Sequence, residues 1–246
     1  MLAILGGSGL TKLANLAVRS RKTARTPYGE PSAALTFGEI GGRGVVFLAR
    51  HGDDHAIAPH EVNYRANLWA LKEAGAREVV SVASVGGIGG AAAPGALMVP
   101  DQIIDYTWGR ASTYFQGPGA PVRHIDFTEH YSRALREKLL AAARVCGEPV
   151  LDGGVYAATQ GPRLETAAEI DRLARDGADI VGMTGMPEAA LAREIDLDYA
   201  ALAVVANHAA GRGDSRSAVS LEAIEAVLER AMARVRRILE KVCEKA

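Results

Sequence analysis

Cysteine is nearly missing from this chain of 246 residues, and so is any imbalance of charge. Only Cys146 and Cys243 occur, far apart and without metal-ligand spacing. That excludes a disulfide framework and leaves two idle or buried thiols in a reducing compartment. A formal net charge of -1, with 23% charged residues, lacks the electrostatic footprint of a nucleic-acid surface or a membrane-binding face. No apolar run has signal or membrane length, and the chain opens on Met1-Leu2-Ala3-Ile4-Leu5 with no basic residue before it, so a cytoplasmic protein is expected. Internal repeats and low-complexity tracts are also lacking. What remains is an ordinary globular composition, 48% hydrophobic, which predicts one domain over residues 1–246 and a small molecule as partner.

Short apolar runs rich in β-branched residues alternate with stretches of helical period, the pattern of an α/β protein with a mostly parallel sheet. Strands are predicted at 3–5, 35–40, 45–49, 79–83, 97–104, 154–159, 180–183 and 200–205, and helices at 63–74, 132–145, 166–175, 187–195 and 221–242. The last helix is the clearest. Leu221, Ile224, Leu228, Ala231, Val235, Ile238 and Val242 recur every three or four residues with Glu and Arg between them, so one face should cover the sheet. Two Gly-rich segments, 109–119 and 211–217, read as a lid or subunit contact and as a flap.

Several of the strands end in groups that can hold parts of a nucleoside and an anion. Gly6-Gly7-Ser8-Gly9 follows the first strand, where glycine lets backbone amides approach an anion and Ser8 adds a hydroxyl. Lys12 stands where a dinucleotide fingerprint needs its third glycine, and no Gly-Lys-Ser/Thr follows, so neither a Rossmann nor a Walker loop is supported. Arg50-His51-Gly52 offers a planar fork of donors and a proton-carrying ring. Asp53, Asp54 and His55 beside it could form a metal site, but no second ligand cluster follows downstream. Ser84 ends a strand without the flanking pattern of a nucleophile elbow. Gln160-Gly161-Pro162-Arg163-Leu164-Glu165-Thr166, Val181-Gly182-Met183-Thr184 and Val204-Val205-Ala206-Asn207-His208-Ala209 complete the set.

In their order along the chain, from Ile4-Leu5-Gly6-Gly7-Ser8-Gly9-Leu10 through Thr26-Pro27-Tyr28-Gly29, Ala49-Arg50-His51-Gly52, Val62-Asn63-Tyr64-Arg65-Ala66-Asn67 and Gly161-Pro162-Arg163 to Pro187-Glu188, these motifs resemble the purine nucleoside phosphorylase and methylthioadenosine phosphorylase family in its trimeric branch. The resemblance implies a three-layer fold with a mixed central sheet flanked by helices, a homotrimer, and cleavage of an N-glycosidic bond by inorganic phosphate. Phosphate is then a co-substrate, with no cofactor and no metal. Ser8, Arg50, His51 and Thr184 would bind it. Ser84 would take over a contact that the family often makes through a threonine at the position of Ala83. Met183 would lie under the ribose, and His124 would reach a neighbour's site. Such a reaction needs no activated serine or cysteine, because phosphate is already a nucleophile and catalysis rests on positioning and charge stabilisation.

The base pocket narrows the substrate. Methylthioadenosine phosphorylases typically carry Asp-x-Asp where Asn207-His208-Ala209 stands here. An Asn207 amide can accept from a protonated purine N7 and donate to a 6-oxo group, and the Glu165 carboxylate can accept the N1 hydrogen that a 6-oxopurine has and adenine lacks. His208 and Ala209 are expected to line the same pocket, and Asn207 and His51 to take the catalytic roles. The start of the last helix, with Val219, Leu221 and Ile224, offers no histidine to a ribose 5′-hydroxyl, and apolar neighbours favour a methylthio group. The expected substrate is therefore a 5′-methylthio nucleoside of hypoxanthine. Methylthioadenosine or inosine and guanosine phosphorolysis, a nucleoside-binding module without turnover, and a metal-dependent hydrolase built on His51 to His55 are the alternatives.

Overall fold

The computed structural model describes residues 1–244. Strand β1 (Leu2–Gly6) is followed by β2 (Ala17–Lys22), β3 (Leu35–Ile40) and β4 (Arg43–Ala49), then by helix α1 (Tyr64–Glu73) and the long strand β5 (Glu78–Gly87). Short strands β6 (Leu97–Val99) and β7 (Gln102–Asp105) precede α2 (Arg133–Val145), β8 (Val150–Asp152), β9 (Val155–Ala158) and α3 (Ala167–Arg175). Strand β10 (Ile180–Gly182), α4 (Gly185–Glu194), β11 (Asp198–His208) and α5 (Leu221–Cys243) complete the order.

Strand β5 is the hub. It pairs in parallel with β1 on one side and β11 on the other, and at its end Gly86 and Gly87 turn to β10 in antiparallel register. Most of its residues are buried, as a run of valine and small side chains covered on both faces should be. Helices α2 and α5 pack on one face of the sheet through Leu135, Leu139, Leu228, Val235 and Ile238. Helices α1 and α4 cover the other through Leu68, Leu71, Ala189 and Leu191. The result is three layers around a mixed sheet, as the family resemblance implied.

All five expected helices are present. The strand expected over 97–104 is two strands, because Pro100 carries no N–H for a ladder and the chain turns there. Strand β6 joins β11 and β8, whereas β7 joins β9. Strands β2 and β8 were not expected. Strand β2 reads Ala-Val-Arg-Ser-Arg-Lys and is exposed along nearly its whole length, so no apolar alternation betrays it. The segment 211–217 forms a short 3-10 turn at Gly213–Ser215, tied by the Gly211 N–H to the Ser215 carbonyl and by an Arg212–Asp171 ion pair of 2.9 Å.

Candidate active site

The carboxyl ends of β1, β4, β5, β10 and β11 surround one cavity of about 470 Å³, the place where open α/β sheets usually bind ligands. Its two ends differ in chemistry.

One end is built on Gly7, Ser8, Arg50, His51, Ser84 and Thr184. Arg50 is fully buried and pairs with Glu188 through two bonds, Nε to Oε2 at 2.7 Å and Nη2 to Oε1 at 3.0 Å. Ser81 and Tyr199 hydroxyls donate to the same carboxylate at 2.8 and 2.7 Å, so a buried charge has the four donors it needs to be tolerable. Burial works against the Arg50 charge, but Glu188 more than offsets it and holds the guanidinium firmly protonated. Nη2 also donates to Ser81, and Nη1 spends one hydrogen on the Val82 carbonyl. The other Nη1 hydrogen is left over. Nη1 lies 2.7 Å from where a Cβ on Gly7 would stand, so the turn after β1 must carry glycine there for the guanidinium to reach the cavity.

His51 enters this end as a hydrogen-bond acceptor. Its Nδ1 bonds the Ile57 carbonyl at 2.9 Å; a carbonyl can only accept, so the proton sits on Nδ1 and Nε2 keeps a lone pair. Burial and the neighbouring Arg50 push its pKa down to about 4. Ser8 Oγ lies 3.2 Å from His55 Nε2, Ser84 Oγ donates to the Ser8 carbonyl at 3.0 Å, and Thr184 precedes α4 with no side-chain bond to that helix. Asp53 points away and pairs with Arg21. Among the described residues no three His, Cys, Asp or Glu side chains gather as a metal site would require.

The other end is made by Glu165, Met183, Asn207, Ala209, Val219, Ile224 and Leu228. The register of β11 against β5 slips between Val205 and Asn207, a bulge that lets the consecutive residues Ala206 and Asn207 both face the cavity. Asn207 Nδ2 donates to the His208 carbonyl at 2.6 Å, which turns the amide so that Oδ1 is free. Glu165 Oε1 accepts from Thr159 Oγ1 at 2.7 Å. Gly161 backs Met183, with the Sδ 2.4 Å from where a glycine Cβ would stand.

Two expected residues are elsewhere. His208 does not line the cavity: strand alternation turns it to the opposite side, against Gly213 and 3.9 Å from Asp214. Leu221 is 68% exposed on the outer side of the first turn of α5, while Ile224 and Leu228, on the inward stripe, reach the cavity. Conversely, Glu188, Ser81, Tyr199 and Arg110 support the site without having been singled out for it. An arginine at the end of the buried apolar run Val45 to Ala49 is the signal that a buried counter-ion must exist, but nothing local says which acid supplies it.

A model of the phosphorylase superfamily matches residues 1–244. The chain is 53% identical, over 98% of its length and 97% of the relative's, to a probable S-methyl-5′-thioinosine phosphorylase of Pseudomonas syringae pv. tomato. It is 46% identical, over 85% of its length and 80% of the relative's, to a 6-oxopurine nucleoside phosphorylase of Pyrococcus furiosus. The methylthioadenosine phosphorylase of Schistosoma mansoni, solved with adenine, superposes with a TM-score of 0.93 at 31% identity, over 98% of this chain and 90% of that one. On its residues, its fold and these likenesses, the chain belongs to the phosphorylase superfamily.

Proposed function

We propose that the chain cleaves S-methyl-5′-thioinosine with inorganic phosphate, giving hypoxanthine and S-methyl-5-thio-α-D-ribose 1-phosphate in purine and methylthio salvage. Hydrogen phosphate sits at the Arg50 end, with donors from Ser8, Thr184, the spare Arg50 Nη1 hydrogen and Ser84, whose hydroxyl turns from the Ser8 carbonyl to the anion, and its own hydroxyl donates to His51 Nε2. Its oxygen attacks C1′ as the bond to N9 breaks, and the proton of the hydrogen phosphate ends up on the departing purine. The cavity offers few opposite charges, since Arg50 is already matched by Glu188, so fixed donors and close placement carry the catalysis. The ribose rests on Met183. Asn207 Oδ1 meets the proton at N7, the second Nδ2 hydrogen is available to O6, and Glu165 accepts from N1–H. Val219, Ile224 and Leu228 receive the methylthio group.

The observation that carries this reading is the pairing, in one cavity, of an amide with a free Oδ1 and a carboxylate at the base end with aliphatic side chains from the start of α5. The names of the relatives from Pseudomonas syringae and Pyrococcus furiosus support both halves. Steady-state rates with S-methyl-5′-thioinosine, methylthioadenosine and inosine, each with and without phosphate, test it. The highest kcat/KM is expected for S-methyl-5′-thioinosine, with no base released in the absence of phosphate. A higher value for methylthioadenosine overturns the base assignment, and one for inosine the 5′ assignment.

The same reading covers a single catalytic unit over residues 1–246, working in the cytoplasm without a cofactor, as a homotrimer. His124 is exposed and lies outside this chain's own cavity, which fits a role at a neighbouring site.

A further inference from the structure

The stretch 106–131 runs mostly along the surface, yet Arg110 reaches inward from it. Its Nη1 donates to the carbonyls of Met183 at 2.8 Å and Met186 at 2.6 Å, and its Nη2 to the carbonyl of Gln160 at 2.7 Å. Nε reaches Gln160 Oε1 at 3.2 Å, and longer bonds of 3.3 Å go to the Thr159 carbonyl and the Tyr64 hydroxyl. The Tyr64 ring lies 5.4 Å from the guanidinium. The carbonyl acceptors belong to three separate pieces of chain, the exit of β9, the exit of β10 and the first turn of α4, and the Tyr64 hydroxyl on α1 adds a fourth. Carbonyls at strand ends have no next strand to bond, and brought together they repel. A planar guanidinium with five donors can collect them, whereas a lysine ammonium cannot span the same spread.

What Arg110 gathers is the floor of the nucleoside end. Met183 and the Glu165 segment that begins at Gln160 line the cavity, and Met183 packs directly on Gly161. We propose that Arg110 is a positioning residue for the nucleoside: without touching substrate, it locks the ribose floor and the base-reading carboxylate into one unit. The inference rests on the proposed phosphorolysis in this cavity. Arg50 is held by Glu188, Ser81, Val82 and Leu5, none of which Arg110 touches; of the groups at that end only Thr184 stands between two carbonyls that Arg110 holds, so its loss should be felt chiefly at the nucleoside end.

The full-length Arg110→Ala and Arg110→Lys variants, assayed with S-methyl-5′-thioinosine and phosphate varied independently, test this. For Arg110→Ala, kcat/KM for the nucleoside should fall about 30- to 100-fold, the scale of a misplacement near 1 Å, with KM for phosphate rising no more than about fivefold, through Thr184. Arg110→Lys should recover little of it. Guanidinium chloride at low millimolar concentration should raise the Arg110→Ala rate at least about tenfold and leave the parent unchanged, which a general loss of folding would not allow. If Arg110→Ala does not fold, Arg110→Lys carries the same reading. Retention of kcat/KM within about threefold, or equal changes at both substrates without rescue, overturns the inference. A parent enzyme that turns over no purine nucleoside with phosphate overturns the proposed function instead, so the two failures are told apart.

Discussion

The two ends of the cavity solve opposite problems. At the end proposed for phosphate, Arg50, Glu188, Ser81 and Tyr199 are buried to 1% exposure or less, and every charge is matched several times over. At the nucleoside end, Glu165, Asn207 and Val219 are only half-buried, and the first two are oriented by single side-chain hydrogen bonds. On the proposed function, a co-substrate common to the family is met by groups anchored on a buried ion pair, where change costs folding. A nucleobase is met by groups at the rim, where one amide exchanged for a carboxylate costs little. Relatives named for 6-oxopurine, methylthioadenosine and methylthioinosine phosphorolysis can thus share one fold.

The largest effect should come from breaking the welded end. Glu188→Ala leaves a buried guanidinium without its partner, a change that typically costs about 3–5 kcal/mol, and urea denaturation should show it as a lowered midpoint. A loss below about 1 kcal/mol would mean that water reaches Arg50 and that the contrast between the two ends is false. Next comes the base. Asn207→Asp with Ala209→Asp should shift the ratio of kcat/KM for methylthioadenosine over S-methyl-5′-thioinosine by roughly 100-fold toward the amino purine, since polar mismatches in buried sites discriminate strongly. An unchanged ratio would hand the selectivity to Glu165.

Much of this contrast could be read in the residues, though unevenly. Helix α5 was legible nearly to its ends because its apolar stripe persists over 23 residues, and the glycine-bearing strand ends marked where the cavity would be. Strand β2 was hidden, being a polar edge strand whose identity depends on its neighbour β3 and not on its own pattern. His208 and Leu221 were misplaced for related reasons. The bulge at Ala206 turns Asn207 toward the cavity and His208 away, and the exact phase of the first turn of α5 decides that Ile224 and not Leu221 faces inward. Neither a bulge nor a helix phase is written in local composition. Arg110 and Glu188 illustrate a deeper limit, since a long-range polar partner leaves no periodic trace.

Acid should separate the two ends further. His51 has an ordinary pKa of 6.5 when unfolded and one of about 4 in the fold, lowered by burial and by Arg50. Unfolding therefore takes up a proton between those values, so stability is complete above about pH 6.5 and falls as the pH drops toward 4, by at most about 1.4 kcal/mol per pH unit for each such histidine. His130, lowered by burial to about 4, adds to the same slope from a site away from the cavity. His51→Asn should flatten the decline without abolishing it. A denaturation midpoint that stays level from pH 7 to pH 5 would show that both His51 and His130 are hydrated in the fold.

The smallest effects belong to the 5′ pocket, where Val219 faces inward and Leu221 outward. Val219 lines the cavity, so Val219→Ser should lower the preference for S-methyl-5′-thioinosine over inosine about tenfold, the value of a methyl-sized apolar contact exchanged for a hydroxyl. Leu221 is 68% exposed and turned outward, so Leu221→Ser should change the same ratio less than about twofold, as surface substitutions do. The two residues stand on the same short stretch of chain and differ chiefly in which way they face. A Leu221→Ser effect equal to that of Val219→Ser would mean that the first turn of α5 closes over the methylthio group during turnover, bringing an outward side chain in, and the nucleoside end would then be the mobile one.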